Sequence, residues 1–244
     1  MRLVDERSWK TVPRSVLVIL GIAFALQITW HGTQPRPEAR AKDLSSPPPS
    51  IVLEALSLGD PIFLAYALLL RLQAFDNQPG ISIPFKDLDY ARVNEWLEAC
   101  LKLDPSSQYP LLLASTVYAQ VPDEPRQRLM LDFVYRSFLN HPMHRWPWLA
   151  HASVVARHRL RDLPLALNYA QAIADLTKDP SVPSWAQQMH IFLRQEMGEH
   201  EAAQILLGGL LSSGTVRDPH ETAFLLQRLE ELKKAEKSPD MTKP

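Results

Sequence analysis

The chain has 244 residues, about one or two domains' worth, and 46% of them are hydrophobic, enough for a core. Basic and acidic residues nearly balance, 26 against 27, so no overall charge directs the chain to nucleic acid. A single cysteine, Cys100, excludes an internal disulfide framework, a cysteine-rich zinc site and a lipoprotein cysteine near the start, while eight glycines against 21 prolines argue against glycine-rich β-turns and phosphate-cradling loops.

Residues 1–14 read as a short cytoplasmic N-terminus, and Ser15 to Trp30 as a transmembrane anchor. That run carries no charge and spans roughly 24 Å as a helix, with Arg14 able to snorkel at one end and Trp30 suited to the interface at the other. Arg2, Arg7, Lys10 and Arg14 precede it and Arg36, Arg40 and Lys42 follow, a small bias toward a cytoplasmic N-terminus. A cleavable signal peptide is the rival reading. It is disfavoured because Trp30-His31-Gly32-Thr33 is a poor cleavage site and Ala39-Arg40-Ala41 lies too far downstream. Either reading exports the rest of the chain. From 31 to 50, Pro35, Pro37 and the run Ser45-Ser46-Pro47-Pro48-Pro49-Ser50 predict an extended spacer that holds the following domain off the bilayer.

From Ile51 the pattern is helical and punctuated. Asp60-Pro61, Asp104-Pro105, His141-Pro142, Asp179-Pro180 and Asp218-Pro219 recur with their prolines 44, 37, 38 and 39 residues apart. Aspartate can cap a helix, and proline is tolerated in its first turn but cannot continue the one before, so each dipeptide is expected to end one helical hairpin and begin the next. Between them lie Gly198-Glu199-His200-Glu201-Ala202-Ala203, Arg161-Asp162-Leu163-Pro164-Leu165-Ala166, and the stretch Trp96 to Pro105, with Tyr118 in the following first helix. These features resemble, in degenerate form, the tetratricopeptide repeat, whose inter-helix turn places a glycine five residues before a small alanine. The resemblance covers about residues 60–218. It implies an all-α fold, a right-handed array of antiparallel helical hairpins over 51–218, and binding of other proteins as the general role. Units run longer than thirty-four residues, and Gly208-Gly209 weakens the last helix.

Within the first unit, Asp76 to Lys86 predicts a long loop whose Ile81, Ile83 and Phe85 pack against the hairpin. Pro219–Lys237 predicts a terminal capping helix, with Phe224, Leu225, Leu229 and Leu232 on its apolar side and Gln227, Glu230, Glu231 and Lys234 on its wet side. Residues 238–244 read as a disordered tail.

Two constellations carry possible chemistry. His141, His144, His151 and His158 fall within eighteen residues, but only one acid, Asp132, lies between 125 and 161, so a metal site lacks its carboxylate support; a metal-binding or enzymatic accessory is the alternative function. No nucleophile elbow, phosphate loop or dinucleotide fingerprint occurs, and Cys100 falls inside a helix; no catalytic residue and no cofactor is expected. The same window also holds seven arginines. Arg136, Arg145, Arg157 and Arg161, together with Trp148, are the candidate partner-binding residues. They suit an acidic segment, a chain-terminal carboxylate or anionic lipid headgroups, the rival being an ordinary solvated face. The whole reads as a non-enzymatic, single-pass scaffold of the bacterial inner membrane with its repeat domain in the periplasm, binding protein rather than nucleic acid.

Overall fold

Aspartate caps set the start of five of the described helices. In the computed structural model, which describes residues 13–33, 41–213, 216 and 218–237, the chain is all-α apart from one small hairpin. Helix α1 (Arg14–Thr33) forms a unit with the hairpin tip 79–81, and the second unit holds the rest from Ala41 onward. No residue of α1 is buried, and the helix is long and apolar enough to cross a membrane. Residues 1–12 of the expected N-terminal segment 1–14, and the expected tail 238–244, lie outside the described residues.

The second unit runs α2 (Ser50–Leu56), α3 (Pro61–Gln73), α4 (Tyr90–Leu103), the short α5 (Tyr109–Leu112), α6 (Glu124–Asn140), α7 (Pro142–Val155), α8 (Leu163–Leu176), α9 (Ser184–Glu196), α10 (His200–Ser212) and α11 (Pro219–Lys237). Asp60 accepts from Phe63 N at 2.9 Å, Asp123 from Arg126 N at 3.1 Å and Asp162 from Leu165 N at 2.9 Å, and in each case a proline follows in the first turn. Asp89 caps α4 without one. The five dipeptides do fall between successive helix pairs, but they do not all work as caps. Asp60 and Asp218 start helices, and Pro142 opens α7. Asp104 and Asp179 instead fold back on Ser106 N and Ser181 N, forming turns that close one helix several residues before the next begins.

Consecutive helices pack on one another, and one hydrophobic core runs from α3 to α9 through Leu69, Leu97, Leu111, Met130, Phe138, Leu149 and Ile173. Alanines set the closest approaches: Ala152, Ala156, Ala166 and Ala170 are fully buried, and Ser153 Oγ donates to Ala166 O at 2.9 Å. After α5 the chain makes a wide turn, Leu113–Val117, in which the hydroxyls of Ser115 and Thr116 donate to Leu111 O and Leu112 O. Tyr118 then sits buried, edge-on to Phe85 and Tyr90. A second, smaller cluster of Ile191, Ala203, Leu207, Leu225 and Leu232 joins α9, α10 and α11. Helix α11 buries Leu225 and Leu232 as expected, but Phe224 stands at the edge of that face, 55% exposed, against Phe192.

The two turns compared in the sequence each close on a left-handed residue, with different bonding. Gly198 takes φ +81°, its N–H donates to Gln195 O, and Glu199 N reaches back to Arg194 O, the double bond pattern that closes a helix on a left-handed residue. Arg161 is the left-handed residue of the other turn, at φ +53°, but there its own N–H and that of Asp162 both go to Ala156 O, a wider closure. Five residues beyond each, Ala203 and Ala166 are completely buried.

Of the spacer expected over 31–50, residues 34–40 lie outside the described residues. Residues 31–33 continue α1, and 41–49 are extended but fastened to the domain. The Gln78 amide brackets Lys42, accepting from its N at 2.8 Å and donating to its O at 2.9 Å; Trp96 Nε1 donates to Ser45 O at 2.8 Å, Arg92 donates to Ser46 Oγ, and Leu44 packs on the core. Prolines favour the extended backbone, but side chains from α4 and the hairpin hold it in place. The loop after α3 forms that hairpin, Asn77–Gln78 with Ile81–Ser82, and Ile83 and Phe85 pack on the core as expected.

Candidate interaction groove

An open groove of about 530 Å³ lies where α4, α6 and the start of α7 meet. From α4 it takes Glu98, Leu101 and Lys102; from α6, Phe133, Arg136, Ser137 and Asn140; from the beginning of α7, His141 and Arg145. Phe133 is buried and forms part of the apolar lining.

Arg145 is the unusual group. The residue is only 4% exposed, and its guanidinium donates to Ser137 O and to Pro105 O, each at 2.7 Å. Ser137 lies in the last turn of α6, where helix geometry leaves carbonyls without intrahelical donors and concentrates partial negative charge. Pro105 belongs to the turn that Asp104 closes. Arg145 therefore ties two chain ends together, and among the described residues no carboxylate forms an ion pair with it. Burial lowers its pKa from the usual arginine value. Arg136 is half exposed and lies between Glu98 at 3.1 Å and Asp132 at 2.8 Å.

The remaining candidates lie elsewhere. Arg157 pairs with Glu196 of α9 at 2.8 Å. Arg161 is the left-handed residue of the α7–α8 turn. Trp148 donates its indole N–H to Gln108 Oε1 at 2.6 Å and packs against the core. Two of the four arginines thus share the groove and two do not. The local scarcity of acids is made up from outside the window: Asp123 pairs with Arg126, and both Glu124 and Asp162 pair with Arg128. The groove's Lys102, Glu98 and Asn140 were not singled out from sequence; the position of Lys102 in the last turn before Asp104-Pro105 was the available signal.

His141, His144 and His158 are exposed, His151 is half-buried, and among the described residues no three histidine, cysteine or carboxylate side chains gather closely enough to hold a metal ion. Cys100 is fully buried in α4, which pushes its thiol pKa up to about 12. No family model, curated protein or solved structure matches this chain.

Proposed function

We propose that this protein is a membrane-anchored helical scaffold of the bacterial envelope, with tetratricopeptide-like helix pairs in the periplasm that bind other proteins and perform no catalysis. The observation that carries the binding reading is the groove at α4, α6 and α7, in which the buried Arg145 and the neighbouring Lys102 have no carboxylate partner among the described residues while Phe133 and Leu101 supply apolar walls. Cations of this kind beside apolar surface suit an acidic segment or a chain-terminal carboxylate, since a guanidinium matches carboxylate geometry and works best where water is thin. Helix α1 supports the anchoring part, and the dipeptide boundaries with the left-handed turns at Arg161 and Gly198 support the repeat part.

The test is a random peptide library with free C-terminal carboxylates, screened against the detergent-solubilised full chain beside the same library amidated. Selected peptides are expected to end in a free carboxylate, to lose affinity on Lys102→Glu, and to bind less tightly as salt rises over the range in which exposed charges become screened. Equal selection from both libraries, or binding indifferent to Lys102→Glu, overturns the assignment of the groove.

A further inference from the structure

Helix α3 is apolar on every side yet packs on only one. Its residues Pro61–Gln73 carry a single charge, Arg71. Ala65, Leu69 and Leu72 face the core, while Ile62, Phe63, Tyr66 and Leu70 form a second stripe along one flank, 51%, 71%, 48% and 60% exposed, with Tyr66 also against the Tyr109 ring. A helix hydrophobic all round is ordinarily buried all round. In the preceding helix Ile51, Val52 and Leu56 are exposed as well, and the two helices meet in an elbow bent by 108°. At its apex Leu58 is 94% exposed and held at φ +48°, a strained conformation for a leucine that packs against nothing in the domain. Exposed apolar side chains concentrated in this way on two successive helices mark a contact with something apolar.

Covalent geometry narrows what that is. Segment 41–49, fastened to α4 and the hairpin, leads directly into α2. Only residues 34–40 separate it from the end of α1, a link that cannot exceed about 29 Å even fully extended. With the extended residues 41–49 added, the elbow begins no more than about 61 Å along the chain from the end of α1, so if α1 spans a membrane the bilayer face lies within that reach and is the apolar phase always present there.

We propose that the α2–α3 elbow docks on the membrane that α1 spans, inserting Leu58 and Phe63 among the lipid headgroups and upper acyl chains so that the helical domain lies against the bilayer. The elbow carries three charges: Asp60 is engaged in capping α3, the guanidinium of Arg71 lies over the Trp96 ring, and Glu54 is exposed on α2, where it must stay at headgroup level. Interfacial helices bury their apolar face to this shallow depth. The proposal rests on the membrane anchoring of α1 proposed above, and its test separates the two.

Single cysteines are introduced at Leu58, Phe63 and Leu70, at Ile22 in α1, and at the exposed Glu230 of α11; the buried Cys100 leaves the parent protein as the labelling blank. Each full-length variant is labelled with an environment-sensitive fluorophore and reconstituted into phosphatidylcholine–phosphatidylglycerol vesicles carrying nitroxide lipids at shallow or deep positions, with iodide as the aqueous quencher. Labels at 58 and 63 are expected to shift to shorter wavelength, to be quenched most by the shallow nitroxides and to be shielded from iodide, whereas the label at 230 shows the reverse. Quenching of the label at 22 by deep nitroxides, with those at 58 and 63 open to iodide, overturns the docking alone. Failure of the label at 22 to be quenched overturns the anchoring as well. Labels at 58 and 63 shielded from iodide and nitroxide alike reveal a protein cover, a second copy or a partner, and also overturn the proposal.

Discussion

Removing the Arg145 guanidinium is expected to destabilise the helical domain more than any other single change to the arginine-rich stretch. The side chain supplies two charge-assisted bonds, to Ser137 O and Pro105 O, and nothing else among the described residues donates from its position. Bonds to charged groups contribute about 1.5–3 kcal/mol each, but the groove lets water reach the freed carbonyls, so Arg145→Met should cost about 2–3 kcal/mol in all. Arg145→Ala should cost somewhat more because it also empties the space filled by the arginine stem. For a domain of this size the methionine variant corresponds to a fall in melting temperature of roughly 4–12 °C. Arg145→Lys, which can serve one carbonyl at a time, should fall between it and the parent. Thermal unfolding of the full chain in mild detergent, followed by tryptophan fluorescence, gives the ordering directly. If Arg145→Met melts with the parent, the guanidinium does not hold α6 to the Asp104 turn, and the strain-free explanation of its burial is wrong.

Arg161→Gly should raise stability by about 0.5–1 kcal/mol because glycine relieves the left-handed strain, while Gly198→Ala should lower it by about 1 kcal/mol although a methyl group would meet nothing there; chemical denaturation of the pair checks both signs. Burial lowers the His190 pKa below its usual 6.5, so the folded state binds fewer protons: the stability this contributes is complete above about pH 6.5 and declines as pH falls below it, and His190→Gln should flatten that part of a stability–pH curve. Asp162, whose pKa is lowered by the Leu165 N–H and by Arg128, keeps its contribution above about pH 4 and loses it as the solution becomes more acid, so Asp162→Asn should be destabilised at neutral pH yet converge on the parent at low pH, as melting temperatures will show. Deleting 219–237 should uncover Ala203 and Leu207 and cause aggregation, measured by light scattering; a truncated protein that stays monodisperse counts against α11 as a cap.

Local rules made much of the architecture legible. An uncharged run bounded by Arg14 and Trp30 is a helix whatever follows it, because its composition alone makes it long and apolar enough to span a bilayer. Proline likewise acts within its own turn, so the five dipeptides marked the boundaries between helix pairs without any knowledge of packing. Whether a given aspartate capped the next helix or closed the last depended on how many residues followed before that helix began, and Asp104 and Asp179 chose the second. The charge of the 125–161 stretch was legible as a sum but not as a surface. Coulomb interactions follow distance in space, and the acids that neutralise Arg128 and Arg157, Asp162 and Glu196, come from outside the stretch. The same holds for burial. Arginine and polyproline-like segments are both expected in solvent, yet Arg145 lies inside because two chain ends offer it carbonyls, and 41–49 lies on the domain because Gln78 and Trp96 offer it donors and an acceptor. Helix α3 carries one charge in thirteen residues, but only the packing of its neighbours decided which of its apolar side chains would be left uncovered.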